Sequence, residues 1–180
     1  MLGALAKLRS PVSNLRARMV LPNQLLLSQA MEMALPADLQ GQAGGLAEAL
    51  AQSDLAIAST GTVTMECAFF GVPTVAIYKS SWSNYQIAKR IVKVKYLAMP
   101  NLLANEEIFP EFIQEAATVE NIAHAALGLL RDEKRRANIK TKLAEITASL
   151  GTPGASHRAA AAIVRLLDPE LAPYLETRPT

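Results

Sequence analysis

The chain has 180 residues, of which 51% are hydrophobic and 5% aromatic, and its formal net charge is +2. This length suffices for one domain with its own core, and the abundance of Ala and Leu favours helices on a small sheet over an all-β fold. The single cysteine, Cys67, excludes an internal disulfide and indicates a reducing compartment. The mild charge argues neither for nor against a nucleic-acid partner, and we expect none. No apolar run approaches the roughly 18 residues of a membrane-spanning helix.

Strands and helices alternate in the first part of the chain. In chain order, we predict a helix over 2–8, a strand over 16–22, a helix over 24–34, a strand remnant and loop over 39–45, a helix over 46–51, a strand over 54–58, a helix over 62–70, a strand over 74–78, a helix over 83–92 and a short strand over 96–99. Asn23 can cap the helix that follows it, and Pro36 can end it. This alternation is typical of a doubly wound parallel sheet.

The second part of the chain predicts helices alone, over 106–114, 119–130, 133–150 and 156–167. We therefore divide the chain into a Rossmann-like α/β region at 1–104, carboxyl-terminal helices at 105–167 that pack on the same domain, and a proline-rich tail at 168–180. A complete Rossmann-like half begins with a strand and a Gly-rich turn. Since this chain begins with a helix, we expect an amino-terminally truncated domain or one piece of a larger protein.

Small residues from Ser59 to Thr62 join a predicted strand to the next helix. Gly61 lets the backbone approach a ligand closely, Thr60 and Thr62 supply hydroxyls, and the free N–H groups of a helix start favour phosphate. Glu66, about one turn further, can accept two hydrogen bonds from a ribose diol. An ordinary capped helix with an acid near its start explains the same pattern, so the residues alone leave both interpretations open.

Basic residues follow the next predicted strand, and no acid lies between Cys67 and Asn105; the basic set is Lys79, Lys89, Arg90, Lys93 and Lys95. Such a surface can meet a diphosphate or anionic membrane lipid, or it can be a solvated helix face. Asn101 follows the last predicted strand, at the carboxyl edge of the sheet, where it can bind a ligand or form an Asx turn.

Neither histidine predicts a metal site. His124 and His157 have no second His or Cys at ligand spacing, so we expect structural roles for them, with His124 partly buried. No cofactor and no metal are predicted. Gln114, together with Glu111, lies in the predicted helix over 106–114 and is open to either a binding or a surface role.

These segments together resemble the lipid-A-disaccharide synthase family, which are glycosyltransferases of the GT-B fold. The order and spacing agree with the family from about residue 46 to 167, and the matching segments are 53–66, 71–79, 88–96, 100–104, 110–114 and 154–156. The bend with its acid is shared widely among GT-B enzymes. The motifs Asn-Leu-Leu-Ala, which begins at Asn101, and Pro-Glu-Phe-Ile-Gln, which ends at Gln114, are much more specific to this family.

The resemblance implies the carboxyl-terminal half of a GT-B fold, which holds the UDP-sugar donor. Its activity would join UDP-diacylglucosamine to diacylglucosamine 1-phosphate with inversion at the anomeric carbon, release UDP and need no metal. Thr60, Gly61 and Thr62 would hold the diphosphate and Glu66 the ribose. The full set of donor-binding residues that the resemblance implies is Ser59, Thr60, Gly61, Thr62, Glu66, Lys79, Asn101 and Gln114.

The chain departs from the family pattern at Lys79, where the family carries Arg, and at Thr60, where it carries Ser. Lys keeps the charge but loses the bidentate fork of Arg. The family's amino-terminal domain, with its acceptor site and proposed base, has no counterpart here. We therefore assign no catalytic residue and expect a missing amino-terminal domain or partner chain to complete an active enzyme.

Two other functions remain open on the sequence. One is a non-catalytic, degenerate GT-B-like domain that acts as a binding or interaction module, and the other is a different UDP-sugar enzyme of the GT-B fold. Whichever of these functions the chain has, we expect a cytoplasmic protein. Peripheral contact with the anionic surface of the inner membrane is a further expectation.

Overall fold

The computed structural model describes residues 1–33, 35–81, 85, 94–151 and 154–167. The elements over these residues, in chain order, are α1 (Leu2–Arg9), β1 (Ala17–Leu21), α2 (Gln24–Met31), β2 (Leu39–Ala43), α3 (Leu46–Ala51), β3 (Ala56–Ser59), α4 (Thr62–Phe69), β4 (Thr74–Tyr78), α5 (Met99–Ala104), β5 (Glu111–Ile113), a 3-10 turn (Gln114–Ala116), α6 (Val119–Arg131), α7 (Glu133–Ser149) and α8 (Ala155–Leu167).

The chain divides into two compact units, Met1–Thr147 and Ala148–Thr180. The first unit contains all five strands and the buried core. In the second unit, α8 is amphipathic in sequence but has no buried residue. The predicted division between residues 104 and 105 stays a prediction, although β5 brings residues 111–113 into the same sheet as β3 and β4.

All strand pairs in the described residues are parallel. β1 pairs with β2, with Ala17 opposite Leu39, and a second ladder has the order β3-β4-β5. The α/β class with parallel strands and surrounding helices is confirmed. The described strands form two separate sheets, one of two strands and one of three, where a single sheet was expected.

The core forms where the apolar strands of the second ladder are covered. β4 reads Thr-Val-Ala-Ile-Tyr, and its Val75 and Ala76 are both 0% exposed. A strand that is apolar on both faces is typical of a parallel sheet covered by helices. Leu129 of α6 and Leu143 of α7 are fully buried in the same core cluster, so these helices supply part of that cover.

The predicted helix cap at Asn23 is confirmed, and a second side-chain cap forms at Thr118. The Asn23 side chain accepts a hydrogen bond from the Leu26 N–H at 2.9 Å at the start of α2, and the Thr118 hydroxyl accepts one from the Asn121 N–H at 3.1 Å at the start of α6. The helix predicted over 24–34 is shorter in the structure, where α2 ends at Met31, ahead of Pro36.

The predicted strand over 96–99 is wrong. The N–H groups of Leu97 and Ala98 donate to the two carboxylate oxygens of Glu111, each at 2.9 Å, instead of joining a ladder. Met99 then begins α5, with Pro100 in its first turn, where the missing N–H of proline costs no helical hydrogen bond.

The predicted helix over 106–114 is also wrong, because the last strand of the sheet lies within it. Glu111 is opposite Ala76 in the register, and the Ala76 N–H donates to the Pro110 carbonyl at 2.9 Å. The predicted helix over 83–92 lies outside the described residues except for Tyr85, and the tail over 168–180 lies entirely outside them. Among the helices of the described residues, none combines the length and the apolar character that crossing a membrane requires.

Cys67 is buried on the inner face of α4. Burial raises the pKa of its thiol, a hydrogen bond with Thr74 opposes that rise, and the charge of Glu66 adds to it. The folded state therefore holds the thiol proton more tightly than the unfolded state does.

We predict that Cys67 makes the protein less stable in alkaline solution. Stability linked to a raised pKa is complete below the ordinary value of 9.0 and is lost as pH rises through the raised one. Urea unfolding of the wild-type chain and of Cys67→Ala between pH 7.5 and 10 should show the wild-type advantage in unfolding free energy shrinking with pH. A constant difference would contradict a buried, protonated thiol.

Candidate functional site

The carboxyl ends of three adjacent strands form one edge of the larger ladder. Ser59 ends β3 and is opposite Ile77 of β4, while Tyr78 of β4 is opposite Ile113, the last residue of β5. Because the strands are parallel, the segments that follow them meet at this edge, where open α/β folds bind their ligands. We call it the carboxyl edge.

The bend at the end of β3 is centred on Gly61. Its φ of 122° and ψ of −158° fall in a region that essentially only glycine adopts. A Cβ built on Gly61 would have no heavy atom within 4 Å. The bend is therefore not filled by the side chains of the described residues, as a close backbone approach to a ligand requires.

Backbone donors at this bend are left without partners. The side chains offer no cap at the start of α4, and the N–H groups of Gly61, Thr62 and Val63 have no acceptor in the described part of the chain. Free donors at a helix start, together with the helix dipole, favour an anion.

Glu66 lies on the same exposed face of α4 as Thr62, while Thr64, Cys67 and Ala68 face the core. Four residues of helix separate Glu66 from Thr62 by about 6 Å along the axis, and helical side chains lean toward the amino end. The Glu66 carboxylate makes no ion pair and no side-chain hydrogen bond among the residues that the structure describes. The carboxylate is therefore free to bind a ligand that lies against the Gly61 bend.

Gln114 comes to the carboxyl edge, but its amide is engaged. Its Oε1 accepts from the Ser80 N–H at 2.9 Å, and its Nε2 donates to the Ser80 carbonyl at 3.2 Å. Gln114 is 6% exposed and has a left-handed φ of 51°, which a non-glycine residue adopts at a cost. Its side chain thus fixes the segment that follows β4.

A shallow depression of about 310 Å³ lies at this place, lined by Lys79, Ser80, Gln114 and Glu115. Lys79 is exposed and forms no ion pair with any residue in the described ranges. The carboxyl edge therefore presents an unpaired cation just after β4 and free backbone donors just after the adjacent strand β3.

Asn101 does not come to this edge with the other candidates. It is 0% exposed on α5. Its Oδ1 accepts from the N–H groups of Ile108 and Phe109 at 2.9 and 2.8 Å, and its Nδ2 donates to the Phe109 carbonyl and to Glu111, both at 2.7 Å. These groups lie at the amino end of β5, away from Gln114, and the four bonds use the full capacity of an Asn side chain.

Sequence reasoning missed two residues of this region. Thr64 is buried behind the Gly61 bend, and its hydroxyl donates to the Gly61 carbonyl at 2.6 Å. Its position three residues after the glycine was an available signal, because a hydroxyl there can reach back to the start of the helix. Ser80 offers its backbone to Gln114, and no local pattern indicates this.

Among the described residues, the other candidates of the sequence analysis do not come together in a site. Lys89, Arg90 and Lys93 lie outside the described residues, and the Lys95 ammonium stands 4.9 Å from the centre of the Tyr96 ring. His124 is exposed, not partly buried as expected, and His157 is exposed too. In the described ranges, no cluster of three or more His, Cys, Asp or Glu side chains could hold a metal ion.

Comparison with known proteins gives one family. Residues 2–164 match the family described as lipid-A-disaccharide synthetase. A lipid-A-disaccharide synthase of Nitrosococcus oceani is 40% identical over 123 residues, which are 68% of this chain and 32% of that protein. One of Synechocystis is 42% identical over 118 residues, or 64% of this chain and 30% of that protein. The chain thus spans about a third of the length of the curated relatives that it matches.

A solved structure supports the fold. The O-GlcNAc transferase of Thermobaculum terrenum, in its K341M mutant form, superposes with a TM-score of 0.54 at 18% sequence identity, covering 84% of this chain and 29% of that one. It is a glycosyltransferase of the GT-B fold. At this level of identity the likeness concerns the fold.

We predict opposite effects of alanine at two glycines whose Cβ positions are both open. Gly61→Ala should lower the free energy of unfolding by about 1–3 kcal/mol, because φ is strained there. Gly128→Ala lies within α6, has no positive φ, and should raise it by about 0.5–1 kcal/mol. Urea unfolding measures both, and a Gly61→Ala variant as stable as wild type would contradict the backbone conformation.

We also predict that Asn101→Ala destabilises the chain strongly. It leaves the buried N–H groups of Ile108 and Phe109 without their acceptor, and each such group costs about 1–3 kcal/mol. The matched control is Asn138→Ala, which removes an exposed side chain of α7 and should change stability by less than about 0.5 kcal/mol. Similar melting temperatures for the two variants would contradict the structural role of Asn101.

Proposed function

Because the chain belongs to the lipid-A-disaccharide synthetase family, we propose that it forms the UDP-sugar donor-binding part of a lipid-A-disaccharide synthase-type glycosyltransferase. One observation carries the proposal. Three backbone N–H groups at the Gly61 bend and the Glu66 carboxylate all lack partners in the described part of the chain. All four groups lie in the first turns of α4 or just before it.

The diphosphate of the donor is assigned to the Gly61 bend. The assignment is supported by the free N–H groups of Gly61, Thr62 and Val63 and by the positive end of the α4 dipole. The Thr60 and Thr62 hydroxyls can add donors, and Ser59 ends the strand beside them. Lys79, which follows the neighbouring strand, supplies a point charge where an Arg would give a fork.

The ribose is assigned to Glu66. A carboxylate accepts through two oxygens, so it can take both hydroxyls of the diol at once. Its exposure on the same helix face as Thr62 supports this order along the ligand, with phosphate at the helix start and ribose one turn further.

Gln114 and Asn101 take supporting places in the proposal. Gln114 borders the depression and holds Ser80 through two hydrogen bonds, so it shapes the wall next to Lys79. Asn101, whose four hydrogen bonds are all internal, supports the segment before β5 and has no group left to contact the donor.

The proposed reaction transfers the sugar of UDP-diacylglucosamine to diacylglucosamine 1-phosphate and releases UDP. Bond cleavage leaves negative charge on the diphosphate, and fixed backbone donors stabilise such charge as it develops. We assign no general base to the chain and propose that an amino-terminal domain or a partner chain contributes it. Since both proposed substrates carry acyl chains, we place the reaction in the cytoplasm at the surface of the inner membrane, which exposed basic side chains can contact.

Binding of UDP tests the proposal. We expect calorimetric titration to show binding by the wild-type chain and an affinity about tenfold lower for Glu66→Gln, the size expected for one hydrogen bond to a charged group. Uridine, followed by NMR titration, should lose affinity by a similar factor. The control Glu145→Gln changes an exposed carboxylate on α7 and should bind like wild type.

Absence of UDP binding by the folded wild-type chain would contradict the donor site. Unchanged binding by Glu66→Gln would remove the ribose assignment alone.

A further inference from the structure

The hydroxyl of Thr64 joins the Gly61 bend to a second element. Thr64 is 0% exposed, donates to the Gly61 carbonyl at 2.6 Å and accepts from the Met99 N–H at 3.2 Å. Since Met99 begins α5, one buried hydroxyl connects the start of α4 to the start of the helix that carries Asn101.

A hydrogen-bond network continues behind Met99. The N–H of Leu97 and that of Ala98 donate to Glu111, and so does the Asn101 amide. The two motifs that resemble the family most specifically, Asn-Leu-Leu-Ala and Pro-Glu-Phe-Ile-Gln, are thus hydrogen-bonded to each other. The neighbouring Met99 links them to Thr64. Neither needs to contact a ligand to affect the bend.

The orientation of one peptide plane follows from these contacts. The Gly61 carbonyl accepts two hydrogen bonds from the buried side, from the Thr64 N–H at 3.1 Å and from its hydroxyl. In a trans peptide the N–H of the next residue points away from the carbonyl. Holding the Gly61 carbonyl toward Thr64 therefore aims the Thr62 N–H out of the amino end of α4, where it has no acceptor among the described residues.

We propose that Thr64 is a positioning residue for the diphosphate site: its hydroxyl holds the Gly61–Thr62 peptide so that the N–H of Thr62 faces the ligand. The inference rests on the proposed function, since it assumes a diphosphate at the bend. Thr64 itself is buried and does not touch the ligand. Its effect should therefore appear in the contribution of the diphosphate to affinity and not in that of the nucleoside.

The experiment compares UDP with uridine as probes on Thr64→Val, which keeps the shape of the side chain and removes the hydroxyl. We expect UDP affinity to fall about tenfold, the loss typical of one charge-assisted hydrogen bond, while uridine affinity changes less than about twofold. Thr64→Ser, which keeps the hydroxyl, should restore the wild-type ratio of the two affinities.

Thr74→Val is the matched control. Thr74 is also 0% exposed, and its hydroxyl donates to the Val72 carbonyl at 2.9 Å, but it begins β4, at the end opposite the carboxyl edge. It should lower stability as Thr64→Val does and leave the ratio of affinities unchanged. If Thr64→Val does not fold, Thr64→Cys, whose thiol is a weak donor, takes its place.

The outcomes separate the two proposals. A folded wild-type chain that binds neither probe overturns the proposed function. A chain that binds UDP more tightly than uridine, with the same ratio in wild type and in Thr64→Val or Thr64→Cys, overturns the role of Thr64 and leaves the donor site standing. An equal change in Thr74→Val overturns it as well, because the effect would then be one of general stability.

Discussion

The carbonyl of Gly61, held from the buried side by Thr64, is the interaction on which the candidate site depends. It holds a bend that only glycine can adopt without strain, and the N–H groups at the start of α4 have no acceptor among the described residues. Every functional assignment starts from these donors. The ribose assignment follows because Glu66 shares a helix face with Thr62, and the place of Lys79 follows because β4 is parallel to β3.

The parallel sheet converts separate stretches of sequence into one edge. Three short strands end side by side, so residues that are far apart in the chain, such as Gly61, Lys79 and Gln114, come to the same edge of the sheet. The amino end of β5 has a different use. There the side chains of Asn101 and Glu111 accept hydrogen bonds from backbone N–H groups. Polar residues in a motif specific to the family can thus have a structural role.

Much of the fold could be predicted because its signals are local. The helix Leu46–Ala51 and the strand Thr74–Tyr78 have the predicted bounds, and Asn23 caps a helix as expected. β5 could not be predicted, because its edges depend on distant partners, with Glu111 bonded to Leu97 and Ala98 in place of a helical turn. The bend and Glu66 are indicated by residues close in sequence, whereas the internal contacts of Asn101 and Thr64 join residues far apart in the chain.

The most direct test of the account is a titration of the ¹⁵N-labelled chain with UDP and with uridine, followed by amide chemical shifts. If the diphosphate binds at the bend, UDP should shift the amides of Gly61, Thr62 and Val63 strongly, and uridine should leave these three nearly unchanged while it shifts residues around Glu66. Equal shifts of the three amides with both ligands, or UDP shifts confined to another surface, would contradict a diphosphate held by the start of α4.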